Sequence, residues 1–105
     1  MEKRRHLVQL LLPLRDNEGE TFAKELLQGV LDELSERFGG STAYTRSPAE
    51  GLWKSGGADH HDDIVVVEVM VENMDAGWWR SYRQTLEQRF RQKELIVRAQ
   101  PIERL

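Results

Sequence analysis

DIVVVEVMVE, residues 63–72, decides how the rest of the chain is read. Ile64 and the five valines within it are β-branched, and branching at Cβ stiffens χ1 in a way that suits a pleated strand better than a helix. Side chains alternate along a strand, so Val65, Val67, Val69 and Val71 share one face. Ile64, Val66, Glu68, Met70 and Glu72 share the other. The first face is made for a core; the second is half apolar with a carboxylate in its middle.

Upstream of this strand, GGADHHDD reads as a polar loop, residues 51–54 suit a short return strand, and SPAEG has the proline and glycine of a turn. STAYTRS, residues 41–47, carries β-prone Thr and Tyr with period-two character. Before it, Phe22, Leu26, Leu27, Val30, Leu31, Leu34 and Phe38 recur at three- and four-residue spacing. That spacing predicts an amphipathic helix over residues 21–38. Gly39 stands directly after its last apolar position, where a left-handed stop residue is expected. The polar turn RDNEGE separates this helix from Leu7 to Leu12, an apolar run ended by Pro13 that reads as a buried strand. Downstream, Asp75 can cap a helix running to about Arg91, with Trp78 or Trp79, Tyr82, Leu86 and Phe90 facing inward. ELIVRAQ makes a last strand ending at Pro101.

Strand, helix, strand, strand, helix, strand predicts an α+β fold of ferredoxin-like βαββαβ type: one four-stranded antiparallel sheet, order 4-1-3-2, with both helices on one face. At 105 residues a single core suffices, so residues 1–105 are read as one domain. The sheet's second face then has no helix over it. Alternation turns Leu7, Gln9 and Leu11 of the first strand toward it, and Ile96, Arg98 and Gln100 of the fourth. An apolar patch of that size is usually covered, and a second copy of the chain is the expected cover, giving a homodimer.

Composition narrows the function. Charged residues make up 31% of the chain and there is no cysteine, which excludes disulfides and thiolate metal sites and fits a soluble, cytoplasmic protein. The apolar run of residues 7–14 is short, holds Gln9 and lacks a cleavage site, so it reads as a strand and not as a signal peptide or membrane span. The net charge of −3 divides into −7 over residues 1–77 (8 Lys/Arg, 15 Asp/Glu) and +4 over residues 78–105 (7 Lys/Arg, 3 Asp/Glu). An acidic whole and central strands without aromatics argue against nucleic acid, leaving the basic end as a solvated helix face.

Glu68, a carboxylate among valines and a methionine, is the candidate catalytic acid or base. Gln9, Thr42, Tyr44, Trp53 and Arg98 are the candidate ligand-binding residues, either lining a cavity for a small molecule or, for Gln9 and Arg98 with Glu68, closing a hydrogen-bond network. Tyr44, Trp53, Trp78 and Trp79 could form an aromatic wall, although core and rim packing accounts for each. Asp59, His60, His61, Asp62 and Asp63 have metal-ligand chemistry, but adjacent ligands in a glycine-led loop seldom converge on one ion. No metal and no cofactor is expected. His6, at a strand start, is read as structural. The glycines Gly39 and Gly40 follow a helix instead of preceding one, which suits a stop and not a phosphate cradle. No GxSxG elbow or Walker-type loop occurs.

FGGST, then GLW about ten residues on, resembles small uncharacterised bacterial proteins of ferredoxin-like fold that share an F-G-G-x-T segment followed by G-x-W before their third strand. The resemblance covers residues 38–72 and implies a bacterial source and this fold; it brings no catalytic residues, and points to Thr42, Gly51 and Trp53 as positions to test. In element order and size the chain is also similar to dimeric α+β-barrel proteins, including cofactor-independent monooxygenases, which implies an alternative reading as a cavity enzyme with Glu68 as acid or base. The leading expectation is a homo-oligomeric interaction or small-ligand-binding module.

Overall fold

The computed structural model describes residues 5–46 and 64–105. Six elements follow in chain order: β1 (Arg5–Pro13), α1 (Lys24–Phe38), β2 (Thr42–Arg46), β3 (Ile64–Val71), α2 (Ala76–Arg89) and β4 (Ile96–Ile102). The strands form one antiparallel sheet in the order β2-β3-β1-β4, which is the α+β ferredoxin-like sandwich the element order predicts.

β1 is central because its alternation supplies an apolar face to two neighbours at once. Its Val8, Leu10 and Leu12 lie opposite Val69, Val67 and Val65 of β3, and all six are buried. Against them pack Val30 and Leu34 of α1 and Trp79, Tyr82 and Leu86 of α2, closing one hydrophobic core between the sheet and the helices. Phe22, Leu26, Leu27, Leu31 and Phe38, the remainder of the α1 stripe, are partly buried at its margin.

The elements end where their residues require. α1 begins at Lys24, three residues later than the apolar spacing suggests, because Thr21 bridges Arg15 across the preceding turn. Asp16 organises that turn: its Oδ1 accepts from the backbone N–H groups of Glu18 and Glu20, both at 2.9 Å. At the other end of α1, Gly39 has φ 83° and its N–H reaches Ser35 O at 2.8 Å. Ser41 Oγ then donates to Leu31 O at 3.2 Å, so the FGGS segment is a helix stop folded back on its own last turns. α2 is capped by Asp75, whose Oδ1 accepts from Trp78 N at 3.1 Å. It ends at Arg89, and two residues on Arg91 takes φ 51° without being a glycine and so holds a conformation costing about 1 kcal/mol or more. β4 runs one residue past Pro101, and its position at the sheet edge explains this, since an edge strand needs donors on one side only.

The basic end is partly neutralised by the acidic one. Arg89 of α2 makes a two-pronged ion pair with Glu33 of α1, at 2.7 and 2.9 Å, and Arg91 reaches Asp16 at 3.5 Å. Tyr82 adds its hydroxyl to Glu33 Oε1 at 2.8 Å. The expected solvated basic face is therefore in part a clasp between the helices. No helix among the described residues is long and apolar enough to cross a membrane.

Candidate functional site

Strand register brings together residues that the sequence assigns only to a face. Gln9 of β1 lies opposite Glu68 of β3 on one side and Arg98 of β4 on the other, and Glu68 lies opposite Thr42 of β2. Thr42, Glu68, Gln9 and Arg98 thus form one row across all four strands on the face opposite the helices. With neighbouring strands ~4.8 Å apart, the row spans roughly 14 Å.

Its centre is hydrogen-bonded. Gln9 Nε2 donates to Glu68 Oε2 at 2.7 Å, and Arg98 Nε donates to Gln9 Oε1 at 2.9 Å. The amide of Gln9 is consequently fixed in orientation by a carboxylate on one side and a guanidinium on the other. The hydrogen-bond network expected of Gln9, Glu68 and Arg98 is present. It leaves the other guanidinium N–H groups of exposed Arg98 at the sheet edge, while Glu68 is half-buried between strands. Such a row can hold and orient a polar group laid across the strands. Replacing Gln9 by Leu removes the bridging amide and is expected to cost about 1–2 kcal/mol in urea unfolding, with the m-value unchanged.

Apolar rows flank the polar one. On one side are Leu7 and Met70 with Gln100; on the other are Ile96, Leu11 and Val66, in register with Tyr44 of β2. Met70 is 48% exposed and Ile96 is 53% exposed. Val66, expected to be open on this face, is only 1% exposed and lies outside the main core cluster. Val66 is therefore covered within the single chain while Ile96, at the edge of the same row, stays open, and the accessible apolar surface of this face is concentrated at Met70 and Ile96.

The other expectations divide clearly. Trp78 and Trp79 do not contribute to an aromatic wall on this face: they stand on the helix side, with Trp79 stacked on Phe38 at 5.2 Å and Trp78 stacked on Tyr82 at 4.9 Å. Trp79 is the buried one, and Trp78 is covered by the Arg37 guanidinium, 4.3 Å from its ring centre. The Tyr44 backbone lies in β2, whereas its side chain, Trp53, the suggested return strand and the Asp59 to Asp63 run lie outside the described residues. Among the described residues no group of three or more His, Asp or Glu side chains could hold a metal. His6 sits on the core side of β1 with Nδ1 buried and no hydrogen-bond partner among the described residues, a feature that sequence alone does not signal.

No protein-family model matches the sequence, and no curated protein does. Among solved structures the fold resembles that of a phage SAM lyase in complex with S-methyl-5'-thioadenosine, with a TM-score of 0.61 over 95% of this chain and 90% of that chain. The two sequences are 13% identical, so the likeness concerns the fold. Nothing in these comparisons supports the monooxygenase-like alternative.

Proposed function

We propose that this protein is a homodimeric small-ligand-binding module that works through its open sheet face. The observation that carries the reading is the Arg98–Gln9–Glu68 row, a preoriented polar strip bordered by apolar side chains. Binding sites combine apolar lining with a few convergent polar groups, and this strip has that composition. Arg98 offers outward donors at one end, Thr42 a hydroxyl at the other, and Glu68 a carboxylate between them. The exposed Met70 and Ile96 give a second copy of the chain a reason to cover the face, which would turn an open strip into an enclosed one. The structural neighbour, solved with a small thioether nucleoside, is a precedent for a fold of this size holding a small ligand. Gly51 and Trp53, from the FGGST and GLW resemblance, are further residues to vary in a ligand screen, together with Tyr44.

Native mass spectrometry of the untagged protein, purified without chelator, tests this directly. The wild-type chain is expected as a dimer carrying a reproducible extra mass. The double variant Met70→Glu, Ile96→Glu is expected as a folded monomer without it, since both side chains are exposed in the single chain and charge on them opposes only the assembly. A wild-type monomer, or a double variant of unchanged mass, rules out the sheet-face dimer; a bare wild-type dimer rules out the ligand and leaves an interaction module.

A further inference from the structure

A concavity lies on the helix side of the sheet, between α2 and the edge strand β4. Ala76, Trp79, Arg80 and Arg83 recur at helical spacing along one face of α2 and form one wall. Val8, Val97 and Ala99, the core-facing residues of β1 and β4, form the opposite one, and Met74 borders it ahead of the helix. The cavity measures about 160 Å³. It is a groove open to solvent along exposed Ala76, Arg80 and Ala99, and its volume is of the order that one phenyl ring occupies, ~150 Å³. Its walls are apolar apart from guanidinium groups, and those differ in their partners. Arg83 pairs with Glu87 at 3.0 Å, and Arg98, which also borders the cavity, gives its Nε–H to Gln9 on the open face. Arg80 is exposed and makes no hydrogen bond or ion pair among the described residues.

An uncompensated guanidinium beside an apolar wall focuses a positive field into the space it borders, and its planar fork matches a carboxylate. We propose that this cavity binds a small organic monoanion: a carboxylate whose apolar part is no larger than a phenyl ring, with the ring against Val8, Val97 and Trp79 and the carboxylate on Arg80. The apolar walls reject a bare inorganic anion, which has nothing to bury there. Arg80 selects against a neutral molecule of the same shape. This site lies on the opposite side of the sheet from the Arg98–Gln9–Glu68 strip and shares only Arg98 with it.

Titration of the full chain with benzoate, benzyl alcohol and inorganic phosphate, followed by ¹H–¹⁵N NMR, tests the assignment. Benzoate is expected to give saturable shifts at the amides of Ala76, Arg80, Val97 and Ala99 and at the Trp79 indole N–H. Benzyl alcohol is expected to bind about tenfold more weakly, and Arg80→Gln to lose about tenfold in benzoate affinity while keeping the wild-type spectrum, the effect of removing one charge-assisted contact. Phosphate is expected to leave these signals unmoved. Benzoate shifts that do not saturate or that centre on Gln9 and Glu68, equal affinity for benzyl alcohol, phosphate binding at the same amides, or an Arg80→Gln variant that binds like wild type would each overturn the proposal.

Discussion

Phe90→Ala is expected to destabilise the protein by about 3–5 kcal/mol, the range for emptying a fully buried aromatic site. Phe90 is 2% exposed at the C-terminus of α2, and its ring meets that of Phe22 edge-to-face at 5.2 Å. Phe22 belongs to the segment that leads from the Asp16 turn into α1, and its N–H is bonded to Leu14 O at 3.0 Å. One side chain therefore closes the end of α2 and holds the β1–α1 connection against it. A domain of this size has roughly 5–15 kcal/mol of stability in total, so the loss is a large fraction of the whole. Urea denaturation reads it as a lowered midpoint at constant m. A change below about 1 kcal/mol would mean that the site refills by collapse and that Phe90 is not a keystone of this junction.

The second large effect is set by pH. Burial first, and the bond to Glu33 second, push the Tyr82 phenol well above its ordinary value of 10.0. The folded chain keeps this proton where the unfolded chain releases it. The stabilisation is thus complete below pH 10 and is lost as pH rises above it, by up to about 1.4 kcal/mol per unit, or roughly 2–3 kcal/mol by pH 12. Subtracting the pH–stability curve of Tyr82→Phe from that of the wild type isolates the effect, because Phe has nothing to ionise. The variant is expected to lose about 1 kcal/mol at pH 7 with its hydrogen bond and to decline less steeply above pH 10. Parallel curves above pH 10 would show that Tyr82 ionises equally well in the folded state. On the acid side the hydrogen bond from Arg89 holds the Glu33 carboxyl below its ordinary 4.5, so its smaller, solvent-screened contribution is present above that value and fades as pH falls below it.

Period-two and period-3.6 patterns carried the element order and the inward faces of β1 and β3, because each depends only on neighbours in the chain, and the sheet order followed from connection rules applied to that element order. They also placed Gln9, Glu68 and Arg98 on one face. That these three share a row depends on register, which pairing over 59 and 89 residues of separation supplies. The clasp of Glu33 with Tyr82 and Arg89 has no local signal: its donors stand 49 and 56 residues from their acceptor, Glu33 and Arg89 alone resemble ordinary exposed helix side chains, and the inward pattern of Tyr82 does not say where its hydroxyl goes. The cavity between α2 and β4 is equally illegible, since it arises where two elements fail to fill the space between them. Trp78 and Trp79 show the limit from the other side. A helix cannot turn two adjacent residues inward equally, so the pattern says that one is buried, and only tertiary packing selects Trp79, since Phe38 touches both rings, Trp78 edge-on and Trp79 stacked.

The central place of β1 has a bearing on how the protein is made. Its neighbours in the sheet are residues 64–71 and 96–102, so among the four described strands the first to leave the ribosome is flanked by the third and the fourth. At typical rates of synthesis, the interval between finishing β1 and finishing β4 is on the order of ten seconds. Throughout it Leu10, Leu11 and Leu12 have an incomplete sheet around them, and the α1 stripe has no finished core to cover. Assembly is in this sense a closing event that awaits the C-terminal strand, and nascent chains stalled before β4 are the form of this protein with the greatest call on holding chaperones.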